Sequence, residues 1–517
     1  MGLFSSKVNA KSNKRLIINM LANTVAYASS IIVSFFLTPY LINTLGKEAY
    51  SFYPIANNIV SYMSIVVNAM NIVANRFITI EIVGKNKENA KKYFSTCFIS
   101  NILLCLVFMI PMILIIAFAD KVLDVPINLL ASVRVLFCFV FATMIVNIST
   151  STFGVATYAT NRIDLRSYRE LIAAILKITL FVLLFKFFKP TIVYVGVVAL
   201  LVALFNFIVQ VYYTSKLLPD MKIEKSLYSW EFMKQIIPPS LWNMVNQLGN
   251  IMLSGTLLIM ANILCGAGAG ADYSIVHTIP GLMNGVITMV VGVFMPMIMQ
   301  HYAEGNIEQT VKQTQKAQNI VGVLGCSVLA VFVAMGKDFF ALWVPTQNAE
   351  YMQSLSVLSV IPHFVISAVW PVSSLNVIIN KLKVPALYLI ISGIINIVVS
   401  YIASLLFPGQ LSVLILINTI VQVIWVGVFV PLYPCKYFNT NRLTFFKPLF
   451  KIIIATALSI MLAGIIRNMF VINNWIAFLA VGCLSGVVVL FVEALVVIGP
   501  KNFRETLYML SKKGKKG

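Results

Sequence analysis

The sequence predicts an all-α integral membrane protein of about fourteen transmembrane helices, arranged as two six-helix lobes followed by two extra C-terminal helices. Three observations carry this. The 517 residues are 60% hydrophobic and only 11% charged, where a soluble chain carries about a quarter charged residues. Apolar runs long enough to cross a bilayer, about 20 residues each, recur from end to end. The basic residues then collect in alternate loops between those runs.

The elements follow in order, with bounds read from the apolar runs. A basic N-terminus, 1–16, precedes an N-lobe over 17–214. Its six helices are about Ile17–Ile42, Tyr50–Thr79, Tyr93–Phe118, Leu129–Tyr158, Glu170–Phe188 and Thr191–Tyr213. A basic cytoplasmic linker, 215–235, joins it to a C-lobe over 236–433. The C-lobe helices are about Ile236–Leu264, Tyr273–Gln300, Gln318–Ala334, Met352–Ile379, Pro385–Phe407 and Leu411–Leu432. Helices 13 and 14, about Pro448–Ile466 and Trp475–Ile498, fill the segment 434–499, and a basic tail occupies 500–517. The first apolar run is too long for a signal-peptide core and lacks a small-residue cleavage site, so no cleaved signal is expected. Met1-Gly2 with Ser6 matches a myristoylation pattern, which a chain with this many spans does not need.

Charge placement sets the orientation. Of the 38 Lys and Arg, 29 fall in the N-terminus, the even-to-odd loops and the tail, six fall in the opposite loops, and three lie inside helices. Positive loops stay in the cytoplasm, so both termini are expected there, in the inner membrane. The net charge of +21 therefore points to anionic membrane lipids as partners and away from nucleic acid. Seven cysteines with no CxxC pair read as small core residues. The halves share a faint repeat: Asn23 and Tyr50-Ser51 correspond to Asn246 and Tyr273-Ser274 at a constant offset of 223, as in lobes related by an axis along the membrane normal.

Polar residues in a membrane helix should face protein or a wet cavity. Helix 2 has the clearest stripe, Asn57, Ser61, Ser64, Asn68, Asn71 and Asn75, at spacings of four and three, which is one helical face. Helix 1 shows Asn19, Asn23 and Tyr27; helix 7 shows Asn243, Asn246, Gln247 and Asn250. Helix 8 shows Tyr273, His277, Gly281 and Asn284; helix 10 shows His363, Ser367, Trp370 and Ser374. One stripe alone would mean helix packing, with interhelical amides worth about 0.6 kcal/mol each. Five stripes, concentrated at the first two helices of each lobe, favour a hydrated cavity. Its amides and aromatic rings suit sugar hydroxyls and ring faces.

Three cations lie inside helices: Arg76, Arg134 and Lys177. Each either snorkels to the interface or gives the cavity a phosphate-binding charge, for which an arginine fork is well shaped. His277 and His363 read either as hydrogen-bonded packing residues or as proton relays. Glu493 is the one carboxylate deep in a helix and is the candidate ion-coupling residue. Pro238-Pro239, Pro280 and Pro371 should kink helices 7, 8 and 10, and Gly281-x3-Gly285 reads as close helix packing. There is no HExxH, GxSxG, P-loop or CxxC pair. The glycines 266, 268 and 270 follow a membrane helix rather than a strand, so they are no dinucleotide fingerprint. No catalytic residue, metal site or cofactor is expected. Energy would come from H⁺ or Na⁺, the membrane potential or the substrate's own gradient.

The stretch from Ser34 to Met63, with Leu-Thr-Pro-Tyr-Leu and Leu-Gly-x3-Tyr, and the stretch from Asn71 to Ile82, with Asn-Arg-Phe, resemble the bacterial polysaccharide flippases. These form part of the multidrug/oligosaccharidyl-lipid/polysaccharide exporter superfamily. The resemblance implies a V-shaped pair of six-helix lobes around a cationic cavity. It implies flipping of undecaprenyl-diphosphate-linked oligosaccharide repeat units to the outer leaflet by alternating access, for surface polysaccharide assembly. Polymerase and ligase machinery would then be partners. The peptidoglycan-precursor branch uses arginines in helices 1, 2 and 8; here helix 1 offers Asn23, helix 8 offers His277, and only Arg76 supplies a helix 2 guanidinium. That departure speaks against a peptidoglycan-precursor substrate. An ion-coupled multidrug antiporter of the same superfamily is the alternative. Fourteen spans and the lack of a carboxylate deep in helices 1 to 6 weigh against it, and the lack of a large acidic loop weighs against a glycosyltransferase.

Overall fold

The computed structural model describes residues 29, 33, 35–84, 86–160, 162–379 and 381–499, and fourteen helical rods account for nearly all of them. They are α1 (Phe35–Leu45), α2 (Lys47–Val83), α3 (Lys87–Ala117), α4 (Leu130–Ser151, extended by a 3-10 turn and Val155–Ala159), α5 (Ile163–Phe187) and α6 (Val193–Leu217). Next come α7 (Trp230–Asn250 and Thr256–Cys265), α8 (Ala267–Val276 and Thr278–Ala303), α9 (Ile307–Trp343) and α10 (Ala349–Ile378). The last are α11 (Lys383–Leu406), α12 (Leu411–Ile424 and Val430–Phe438), α13 (Phe446–Asn468) and α14 (Trp475–Ile498). No strand occurs among the described residues, and the chain is an all-α membrane protein. Eleven of its described helices are long and apolar enough to cross a bilayer. Two of the rest have visible reasons: α1 is described only near its end, and α5 carries Glu170, Lys177 and Lys186.

Side-chain chemistry fixes several ends. Asn86, Asn306 and Asn474 cap α3, α9 and α14 by accepting the N–H of Asn89, Gln309 and Ala477 at 3.2, 3.1 and 2.8 Å, the usual role of a short amide at a helix start. Gly266 bends α7 into α8 with φ of 93°, a conformation that favours glycine. The Asp124 carboxylate then receives the Ala267 N–H at 2.9 Å.

The rods fall into two compact units. The first holds the described residues up to Ile251 together with Gly266–Ala271; the second holds Met252–Cys265 and the described residues from Asp272 onward. The 215–235 segment and the first segment of α7 cluster with the N-terminal unit. In unit 1, α4 packs on α6, and α2 packs on α3, α4 and the first segment of α7. The repeated Tyr-Ser pairs, Tyr50-Ser51 and Tyr273-Ser274, are both buried.

In unit 2, α9 is the hub, packed on α8, α10, α13 and α14. Helices 13 and 14 are thus bound to this unit through α9. Small residues make the approach possible: a Cβ on Gly322 would meet Ile452 of α13, and one on Gly325 or Gly336 would meet Ser367 or Gln353 of α10. Membrane helices associate by such close packing because lipid supplies no hydrophobic drive between them. Gly281 is different: a Cβ there would meet nothing within 4 Å, so it is not a close-packing residue. All seven cysteines are free, with Cys97, Cys105, Cys326 and Cys435 buried and Cys138 and Cys483 exposed.

Candidate functional site

Asn23 and Tyr27 lie outside the described residues, so the candidate face of unit 1 is built on α2 and the first segment of α7, which pack together. The helix 2 stripe divides into two kinds of position. Asn71 is 5% exposed; its Oδ1 accepts the Asn101 amide at 3.0 Å and the Cys97 thiol at 3.1 Å. Asn101 also donates to Thr152 at 3.0 Å and Ser151 at 3.3 Å. Asn71 therefore ties α2 to α3 and the end of α4, the bland packing role. Asn57 is half-buried and donates to the Tyr53 carbonyl at 3.0 Å. Ser61, Asn68 and Arg76 are exposed, and Arg76 makes no ion pair among the described residues. Ile72 and Ile80 share that exposed side, so it is polar but not wholly so.

On α7, Asn250 donates to both the carbonyl and the side-chain oxygen of Asn246 at 3.0 Å. A π turn, Ile251–Gly255, follows at once. One extra residue in the turn displaces carbonyls from their usual partners, and such turns often mark functional positions. Here Tyr62 of α2 donates to the Ile251 carbonyl at 3.4 Å. In unit 2, Asn418 of α12 donates to the Leu253 carbonyl at 2.5 Å.

The second face lies in unit 2, where α8 packs on α10. Pro280 has no N–H to give the Val276 carbonyl, and α8 is broken at His277. The half-buried His277 ring lies 5.5 Å from Tyr273. His363 of α10 is 4% exposed, its two ring nitrogens make no good hydrogen bond, and it lies near His277. Trp370 is packed against Ile287, Val291 and their neighbours, and Asn284 is exposed. Buried polar atoms without partners are normally met by water or ligand, so the His363 imidazole marks the polar interior of this unit.

The other cations are placed differently. Arg134 is bound at 2.9 Å to both the Asp120 carboxylate and the Ala117 carbonyl, which neutralises it near one end of α4. Lys177 is half-buried on α5 and unpaired among the described residues. Glu493 is at zero exposure in α14. Sequence reasoning missed Asn101, Asn418 and the hydroxyls around Glu493. Asn101 is a single amide in an apolar run, so no periodicity announced it.

No family model matches the chain. An uncharacterized membrane protein, EpsK, of Bacillus subtilis (strain 168) is 25% identical over 468 residues, spanning 90% of this chain and 92% of that protein. Among solved structures, the lipid II flippase MurJ in an inward closed conformation superposes with a TM-score of 0.65 at 13% identity, covering 93% of this chain and 98% of that one. A multidrug resistance MATE family transporter of the MOP superfamily, inward-facing, superposes at 0.58 with 14% identity, covering 80% of this chain and 97% of that one. An outward-facing multidrug resistance MATE family transporter of the MOP superfamily superposes at 0.58 with 13% identity, covering 82% of this chain and 94% of that one. The fold is thus the one shared by these flippases and transporters, none of which is an enzyme by its description.

Proposed function

We propose that this protein flips undecaprenyl-diphosphate-linked oligosaccharide repeat units from the cytoplasmic to the outer leaflet by alternating access, for surface polysaccharide assembly. The observation that carries the proposal is the exposed Arg76 guanidinium, unpaired among the described residues, on the same membrane helix as the exposed Asn68 amide. A guanidinium held in a membrane without a counter-ion favours an anionic substrate group, and its fork suits a diphosphate. Amides along the same helix offer donors and acceptors for sugar hydroxyls. The likeness to a lipid II flippase over 93% of the chain supports a lipid-linked substrate. The departures at Asn23 and His277 from the arginines of peptidoglycan-precursor flippases favour a different glycan.

The same reading puts the basic loops and both termini in the cytoplasm of a bacterial inner membrane, and gives polysaccharide polymerase and ligase machinery as partners. An ion-coupled multidrug antiporter is the second reading, favoured by the transporter structures that superpose on 80% and 82% of the chain. The test is to delete the gene and locate lipid-linked glycan by leaflet. Accumulation on the cytoplasmic leaflet, reversed by re-expression, is the expected result. No accumulation, with new sensitivity to cationic drugs, would move the protein to the antiporter class.

A further inference from the structure

Among the described residues, Glu493 is the one carboxyl fully excluded from solvent. It sits where α14 packs on α9 and α13. Ser327 of α9 donates to its Oε2 at 3.0 Å, and Thr456 and Ser459 of α13 face the same carboxyl. The thiol of Cys326 is close by. No charged partner compensates it among the described residues. The charges of α9 lie toward its ends, at Glu308, Lys312, Lys316, Lys337 and Asp338. Those of α13 are Lys447 and Lys451 at its start and Arg467 at its end, and α14 has no other charge. Lys451 is exposed, off the buried face, and Arg467 is held by Asp338 through two bonds of 2.8 Å.

Two features show that the carboxyl is incompletely satisfied. Its Oε1, together with the hydroxyls of Ser459 and Ser485, makes no hydrogen bond of good geometry. Ser485 lies two turns before Glu493 on the same buried face of α14. The second feature is the direction of Thr456. Its hydroxyl lies 2.7 Å from the Ile452 carbonyl, and that bond competes with donation to Glu493. Hydroxyl oxygens shared in this way keep lone pairs free to meet a cation beside the carboxyl. A bare carboxylate in such a place costs several kcal/mol, and the bland alternative, an ion pair, has no partner here.

We propose that Glu493, with the hydroxyls of Ser327, Thr456 and Ser459, forms a monovalent-cation site that holds a proton or a sodium ion. One negative charge and a set of hard hydroxyl oxygens match a single positive charge. No group of three His, Cys, Asp or Glu side chains suited to a divalent metal occurs among the described residues. The occupancy of the site can be read without transport, so its failure and that of the flippase reading are distinguishable.

The experiment measures thermal unfolding of the purified full-length protein in detergent, with sodium exchanged for choline at constant ionic strength and at several pH values. For a sodium site, sodium raises the midpoint saturably in the wild type and not in Glu493→Gln, and Ser459→Ala weakens the half-saturating concentration about tenfold, the size of one lost charge-assisted bond. For a proton site, sodium has no effect; the wild type loses stability as pH rises and Glu493→Gln does not, while Ser459→Ala shifts the pH midpoint. Should Glu493→Gln fail to fold, Ser327→Ala and Ser459→Ala decide the matter by the same shifts. Identical sodium and pH responses in the wild type and in every variant that folds would overturn the proposal.

Discussion

Asn71 and Asn68 lie three residues apart on one predicted stripe, and the structure assigns them opposite roles. Replacing Asn71 with Ala removes the acceptor of one 3.0 Å amide bond and of one weaker 3.1 Å thiol bond. Asn101 keeps Thr152 and Ser151, so it is not stranded. Hydrogen bonds between membrane helices average about 0.6 kcal/mol and reach about 1.7. The Asn71→Ala cost is therefore roughly 1–2 kcal/mol, including the space left behind. Asn68 is exposed, and Asn68→Leu should change stability by less than about 0.5 kcal/mol while lowering transport. The assay is reversible unfolding in mixed micelles beside the leaflet assay on the same variants. Equal destabilisation by both substitutions, or an Asn71→Ala protein as stable as the wild type, would refute the division of the stripe.

Further outcomes follow from the same geometry. Arg76→Ala lowers export without lowering membrane abundance and Arg76→Lys retains part of it; unchanged export in Arg76→Ala assigns the residue to snorkelling. Gly325→Val drives a side chain into Ser367 and should cost about 1–3 kcal/mol by overpacking, whereas Gly281→Ala should unfold like the wild type. Asp338→Asn breaks the forked contact with Arg467 between α9 and α13; with Arg467 partly exposed, solvent screening limits the loss to about 1 kcal/mol, read in the same unfolding assay. The Lys87 ammonium, 2.7 Å away, holds the exposed Asp220 carboxyl below the usual carboxylate range. That contact is present above the ordinary aspartate value of about 3.9 and is lost only as pH falls through the lowered one. The difference in unfolding midpoint between the wild type and Asp220→Asn should therefore be the same at pH 8 and at about 5.

The fourteen rods were legible in the sequence because a bilayer imposes a single length and a single chemistry on every crossing. Each predicted helix has its counterpart, from the end of α1 at Leu45 to α14 at Trp475–Ile498. The break in α8 was legible from Pro280, since a missing N–H acts locally. The π turns at Ile251–Gly255 and Trp425–Phe429 were not. Their extra residue is held by distant partners, such as Asn418 bonding to Leu253.

What the sequence determined by itself is the class of molecule: its spans, its charged loops and the polar periodicity of particular helices, all set by local composition against lipid and water. What only the tertiary structure decided is the use of each polar residue. Periodicity put Asn68 and Asn71 on one face, yet an amide one turn along can meet Asn101 or face outward. Arg134 counted as a free cation until Asp120 lay beside it. Glu493 counted as one lone carboxylate until α9 and α13 brought three hydroxyls to it. A polar side chain's energy in a membrane depends on its partner, and partners far apart in the chain meet only in the packed fold.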